Sequence, residues 1–212
     1  QKLTNYNTSR EVNRIILNFL SSFKFFLDNA ETHLKRKFGK QSEIIKNFDQ
    51  LKRDYFDNHF AYRFLYKLRN YYLHLGFPIS GVSFEGEKNE KSPERMKGEL
   101  CIEIDKEILI KEKVLFATVH KDLLEIEEEE INLKPLIQTL SKIILEIQKF
   151  IYETQKIELE EAIDNIEMFS GEYKTNENEL GIFMNYKSES DSTELSFDFY
   201  KIPFEFIADF KN

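Results

Sequence analysis

Eleven apolar side chains constrain this chain more than anything else in it: Val12, Ile15, Ile16, Phe19, Leu20, Phe23, Phe26, Leu27, Ala30, Leu34 and Phe38 recur at steps of three and four. Residues spaced in this way fall on one side of an α-helix, whereas a strand would divide them between its two faces. The pattern therefore predicts a long helix whose apolar side must be covered by other elements. Thr8-Ser9-Arg10-Glu11 reads as a capping box that opens it. Lys35, Arg36 and Lys37 suit the negative end of its dipole, and Gly39 suits its stop.

The same periodicity continues. A second helix is expected from Ser42, burying Ile45, Phe48, Leu51 and Tyr55. A third should open near Asp57 or Asn58, carry Phe60, Phe64, Leu65, Leu68, Tyr71, Tyr72 and Leu75, and end at Gly76 before Pro78. Then the texture changes to period two. Gly81–Glu85 and Glu99–Ile104 read as short strands pairing around a polar loop over 86–98. Asp105 caps a short helical piece, a further helix is expected over about 113–126, and the acidic run Glu127–Glu130 reads as a solvated turn. Leu136, Leu140, Ile143, Ile147, Phe150, Ile157 and Ile163 support one long helix or two abutting helices over 133–168. Ile182–Tyr186 and Thr193–Tyr200, flanking Ser188–Ser192, read as a closing hairpin. The expected architecture is mainly α: an antiparallel helical bundle over residues 1–168 with a β-hairpin insertion at about 81–104, followed by a C-terminal β-hairpin appendage over 169–212.

Composition sets the outer limits. With 212 residues and 41% apolar content the chain can bury one core. No apolar run approaches the length of a bilayer span, so no membrane partner is expected, and no signal peptide is expected. Cys101 stands alone and cannot form an intrachain disulfide, which favours a reducing, cytoplasmic setting. The net charge of −8 argues against a polyanion partner until it is divided. Residues 1–80 carry 14 Lys and Arg against 7 Asp and Glu, whereas 81–212 carry 16 against 31. The basic half suits an RNA-facing surface; the acidic half suits a partner-facing surface or simple solubility.

Within that basic half lies Arg69-Asn70-Tyr71-Tyr72-Leu73-His74, a permanent cation, an amide and an imidazole within two turns of one helix. Asn70 and His74 are four apart and share a face; Arg69 and His74 are five apart, about 140° around an ideal helix. Convergence then requires that the helix unwind near Gly76, or that a second chain complete the site across a two-fold axis. Imidazole titrates near neutrality and guanidinium forks onto phosphate oxygens. Those are the needs of RNA scission in which the ribose 2′-OH attacks the adjacent phosphorus, with no metal and no cofactor expected. Tyr71 or Tyr72 would stack on an unpaired base, with the core as the competing place for at least one of them. Lys52, Arg53, Arg63 and Lys67 would hold the backbone. The structural alternative is that Asn70 and His74 satisfy each other or backbone carbonyls while Arg69 pairs with a carboxylate.

Arg69, the polar residue after it, and His74 after four intervening positions near a helix end together resemble the Arg-X4–6-His signature of HEPN-domain ribonucleases. In helix layout the resemblance spans residues 1–168. It implies a helical, usually dimeric protein of the kind found in toxin–antitoxin, abortive-infection and other antiviral systems. Arg69 and His74 would then be catalytic in a composite site, Asn70 would orient them, and an antitoxin or regulatory protein would be a further partner. One subgroup carries a modifiable Tyr two places after the His; here that place is Gly76, and the sequence departs from that variant. The expected function is a metal-independent endoribonuclease; the alternative is a non-catalytic dimerisation, RNA-binding or sensor module. No Gly-rich phosphate loop, Cys-X2-Cys pair, His-Glu-X2-His or nucleophile elbow supports another chemistry. His33, His59 and His120 are isolated and read as surface or capping residues.

Overall fold

The computed structural model describes residues 6–88, 96–171, 173, 180–186, 196–202, 204 and 207–208. The expected loop tip at 89–95, and with it most of the polar loop, lies outside them, as does the Ser188–Ser192 segment. The chain is mainly helical, with a few short antiparallel strands, and divides into two compact units, Gln1–Glu153 and Thr154–Asn212.

In the first unit α1 (Tyr6–Phe38), α2 (Glu43–Asn58) and α3 (Phe60–His74) precede β1 (Ile79–Lys88) and β2 (Met96–Asp105). Three short helices follow, α4 (Lys106–Ile110), α5 (Lys113–Phe116) and α6 (Val119–Glu125), then β3 (Glu130–Asn132) and α7 (Leu133–Glu153). The apolar stripe of α1 is the core side: Ile16, Leu20, Phe23, Leu27, Ala30 and Leu34 are all buried, although Ile15 is half exposed. They meet Ile45 and Phe48 of α2, Phe64, Leu65 and Leu68 of α3, and Leu140, Ile143 and Ile147 of α7 in one cluster. Phe48 packs its ring 6.0 Å from that of Phe150, and the Tyr55 hydroxyl donates to Glu146, tying α2 to α7.

Several expected boundaries move, each for a local reason. α1 already runs at Tyr6, so Thr8 lies inside it and Glu11 pairs with Arg14 instead of reaching back to a cap. Ser42 does cap α2, accepting from the Ile45 amide at 3.4 Å. α2 persists through Asn58, leaving His59 (φ −121°, ψ 107°) as the single joint before α3. It persists because the Asn58 amide donates to the Asp54 carbonyl and Arg63 donates to those of Phe56 and Asp57. The single helix expected at 113–126 breaks at Ala117, which takes φ +44°. The break lets both Phe116 and Val119 be fully buried.

The insertion hairpin is present and longer than expected, with Val82 opposite Ile102 and Lys88 opposite Met96. Its β2 strand takes β3 as a further antiparallel neighbour, Ile104 opposite Ile131, so Glu130 belongs to a strand that the acidic run concealed. Asp105 caps α4 as expected, accepting from the Glu107 amide at 2.8 Å.

In the second unit, α8 (Lys156–Gly171) is followed by the antiparallel pair β4 (Gly181–Tyr186) and β5 (Ser196–Lys201), with Phe183 opposite Phe199. The long apolar run over 133–168 is thus two helices. The units divide after Glu153 and not at 168/169, because Ile163 is buried with Ile202 and Ile207 in a small core of its own, edged by Ile166, Leu180 and Phe204.

Candidate functional site

The C-terminal half of α3 is laid against α1. Contacts fall along α1 as they rise along α3: the Phe23 ring meets Tyr62 edge-on at 5.4 Å, and the Asn13 side chain accepts from the Ile79 amide beyond the end of α3. The two helices are therefore antiparallel. Asn13 is buried at 3% exposure, and its Nδ2 donates to the Ser9 carbonyl at 2.9 Å, so both halves of its amide are used. That clamp fixes the chain just after the candidate motif. Sequence periodicity hides it, because Asn13 falls next to the stripe in a helix whose exposed face is also rich in Asn.

α3 stays helical through His74, Leu75 caps it, and Gly76 turns the chain at φ +114°, where a side chain would be strained. The helix does not unwind early. Asn70 and His74 consequently share a face of one protomer, and Arg69 points elsewhere, about 140° away on an ideal helix. His74 is exposed and Asn70 half-buried. Arg69 is half-buried, with its Nε fully covered and without a hydrogen-bond partner. Among the described residues, no hydrogen bond or ion pair engages the Asn70, His74 or Arg69 side chains, so the mutual pairing that would explain them structurally does not occur.

Arg69 borders a concavity of about 390 Å³ between α1 and α3, together with Ser21, Ser22, Lys24, Phe25 and Asp28. A larger concavity of about 540 Å³ lies beside it and shares Lys24 and Asp28; Tyr62, Tyr66, Lys52 and Arg53 also line it. Its charges are mostly spent on each other. Lys52 binds Glu31 at 2.5 Å and Asp49 at 2.9 Å, and Lys35 pairs with Glu31 as well. Lys35 and Lys52 together hold the Glu31 carboxyl down at about 2 from an ordinary value of 4.5.

The residues proposed to bind RNA separate accordingly. Arg63 forks onto Asp122 at 2.7 and 3.0 Å while capping α2, so it is a structural cation. Lys52 is also structural, with two carboxylates and the Phe48 ring 4.8 Å from its ammonium. Tyr72 is in the core at 5% exposure, its ring 6.2 Å from Phe77 and its hydroxyl pushed up by burial, and is not available for stacking. Tyr71 is half-buried on Phe116, ring centres 6.4 Å apart, its hydroxyl raised by desolvation and by Glu112. Arg53 is exposed and Lys67 half-buried, and among the described residues neither has an ion-pair partner. His120 caps, Nε2 lying 3.0 Å from the Ile110 carbonyl.

Sequence reasoning missed the α1 side of the site. Phe25 lies off the core stripe and is 71% exposed. Two adjacent serines in mid-helix, where Ser is an indifferent helix former, were the signal that could have drawn attention to that turn. Among the described residues, no group of three or more His, Cys, Asp or Glu side chains is placed to hold a metal ion, and no helix is long and apolar enough to cross a membrane. No family model, no curated protein and no solved structure matches the chain.

Proposed function

We propose that the chain is a metal-independent endoribonuclease of HEPN type, a cytoplasmic toxin or antiviral-defence effector whose active site is completed by two copies. One observation carries this reading: Arg69, Asn70 and His74 hold three strong polar groups on one helix end with no partner among the described residues. Arg69 and Asn70 are half-buried and His74 is exposed, and buried polar groups are usually satisfied in folded proteins, so the partnerless Arg69 Nε calls for an explanation.

The reaction asks little more of the protein. The ribose 2′-oxygen bonds to the adjacent phosphorus as the bond from phosphorus to the 5′-oxygen breaks, giving a 2′,3′-cyclic phosphate and a free 5′-hydroxyl. One His74 imidazole takes the 2′ proton; its counterpart from the second copy gives a proton to the leaving 5′-oxygen. Arg69 stabilises the crowded phosphorane through its forked donors, and Asn70, on the face of His74, orients the imidazole or the 2′-OH. The need for a second copy follows from the straight helix, which keeps Arg69 and His74 on different faces. Leu73, Leu75 and Phe77, all roughly half exposed around the motif, supply apolar surface for such a contact. An antitoxin or regulatory partner would act on the same surface.

That same separation of Arg69 from His74 favours the second reading, a non-catalytic dimerisation, RNA-binding or sensor module. Total cellular RNA incubated in EDTA with wild type and with His74→Ala distinguishes the two. The ribonuclease reading expects fragments ending in 2′,3′-cyclic phosphate from wild type alone. Intact RNA with a folded dimer in both tubes would leave the non-catalytic module.

A further inference from the structure

We infer that the concavity between α1 and α3 is the subsite for a nucleotide beside the scissile phosphate, with Phe25 stacking its base and Ser21, Ser22, Lys24 and Arg69 holding its phosphate. Which phosphate is cut rests on the ribonuclease reading above; the binding itself does not. Three observations point to it. The Phe25 ring is 71% exposed on the rim of a concavity of about 390 Å³, within the range of small-ligand sites, and it lies off the face by which α1 joins the core. An exposed aromatic face beside a cation is the platform on which unpaired bases stack, whatever their identity.

Next, the hydroxyls are idle. Thr32, Thr139, Ser141 and Ser170 each donate to the carbonyl four residues earlier in their helices. Among the described residues Ser21 and Ser22 engage no hydrogen bond. Ser21, Ser22, Lys24 and Arg69 therefore border the same space, Arg69 with a covered Nε that has no partner.

Finally, charge selects this concavity over its larger neighbour. Lys24 and Arg69 face one carboxylate here, that of Asp28, which pairs with Lys24. The neighbouring space sets Lys24, Lys52 and Arg53 against Asp28, Glu31, Asp49 and Asp57, and repels a phosphate.

The test is fluorescence anisotropy with a labelled single-stranded oligoribonucleotide made wholly of 2′-O-methyl residues, which binds but has no 2′-OH to attack. Phe25→Ala should weaken binding about tenfold and Phe25→Tyr should restore it, with an unchanged thermal midpoint because the ring is exposed. Lys24→Gln should lower the slope of log affinity against log salt by about 0.7, one phosphate contact to a single strand. Wild-type affinity in Phe25→Ala would overturn the subsite. So would loss of affinity that sedimentation traces to dissociation into monomers, since the face would then be an interface between copies; so would an oligonucleotide that wild type does not bind. Failure of the ribonuclease reading looks different: Phe25-dependent binding of this oligonucleotide, with unmodified RNA left intact in EDTA, would keep the subsite and remove the catalysis.

Discussion

Arg63 and Arg69 stand six positions apart on α3, and their surroundings are opposite. Arg63 spends its guanidinium on both oxygens of Asp122, on the carbonyls of Phe56 and Asp57, and on the Phe60 ring, 5.8 Å away. Arg69 brings its Nε out of water and gives it nothing. A buried donor without a partner costs about 1–3 kcal/mol, so the fold tolerates Arg69 where it depends on Arg63. What the difference teaches is that the two ends of one helix answer to different demands: the N-terminal half fastens α2, α3 and α6 together, and the C-terminal half presents groups that the fold itself does not use.

The sharpest attempt to break that contrast is His74→Ala. The side chain is exposed and makes no hydrogen bond among the described residues, so the variant should keep the wild-type melting temperature. RNA cleavage, followed by gel, should fall at least about a hundredfold, the usual contribution of a general acid or base. Next comes Arg63→Met, which strands Asp122 and two helix-end carbonyls; urea unfolding should report a loss of about 2–3 kcal/mol. Asn13→Ala lies between the two classes. It removes the clamp on Ile79, and should cost about 1–2 kcal/mol in the same assay while also slowing cleavage, because the turn after His74 loosens.

Acid should loosen the structural network around Glu31. The folded Glu31 carboxyl is held down at about 2 by Lys35 and Lys52, below its ordinary value of 4.5. Its contribution is therefore complete above pH 4.5 and is lost as pH falls from there through 2. Because the pair is partly solvated, the loss is about 1 kcal/mol. Urea midpoints at pH 6 and pH 3 for wild type and Glu31→Gln should converge as pH falls.

How much of this was legible in the sequence follows the range of the interactions. The α1 stripe, the Ser42 and Asp105 caps, the Gly76 stop and both hairpins depend on neighbours within a few residues, and periodicity or side-chain chemistry announces them. β3 was hidden because three residues beside an acidic run pair only once β2 is in place. The Ala117 break was hidden because what favours it is the burial of Phe116 and Val119, a tertiary matter. For the site, the motif residues could be named from spacing, yet their status could not. Arg63 and Arg69 look alike in sequence, and only Asp122, 59 residues away, makes one of them structural. Lys52 is spent on Glu31, 21 residues before it, by the same logic. Tyr71 and Tyr72 are adjacent, so a helix turns them to different surroundings, and the second is carried into the core.

The most direct test of the contrast is the urea midpoint of Arg69→Met, measured beside its RNA cleavage. Methionine keeps the apolar stem and removes the unsatisfied donor. A midpoint equal to wild type, or higher by up to about 1 kcal/mol of stability, together with loss of cleavage, is the predicted result. A loss of about 2 kcal/mol or more, like that of Arg63→Met, would contradict it and make Arg69 part of the scaffold.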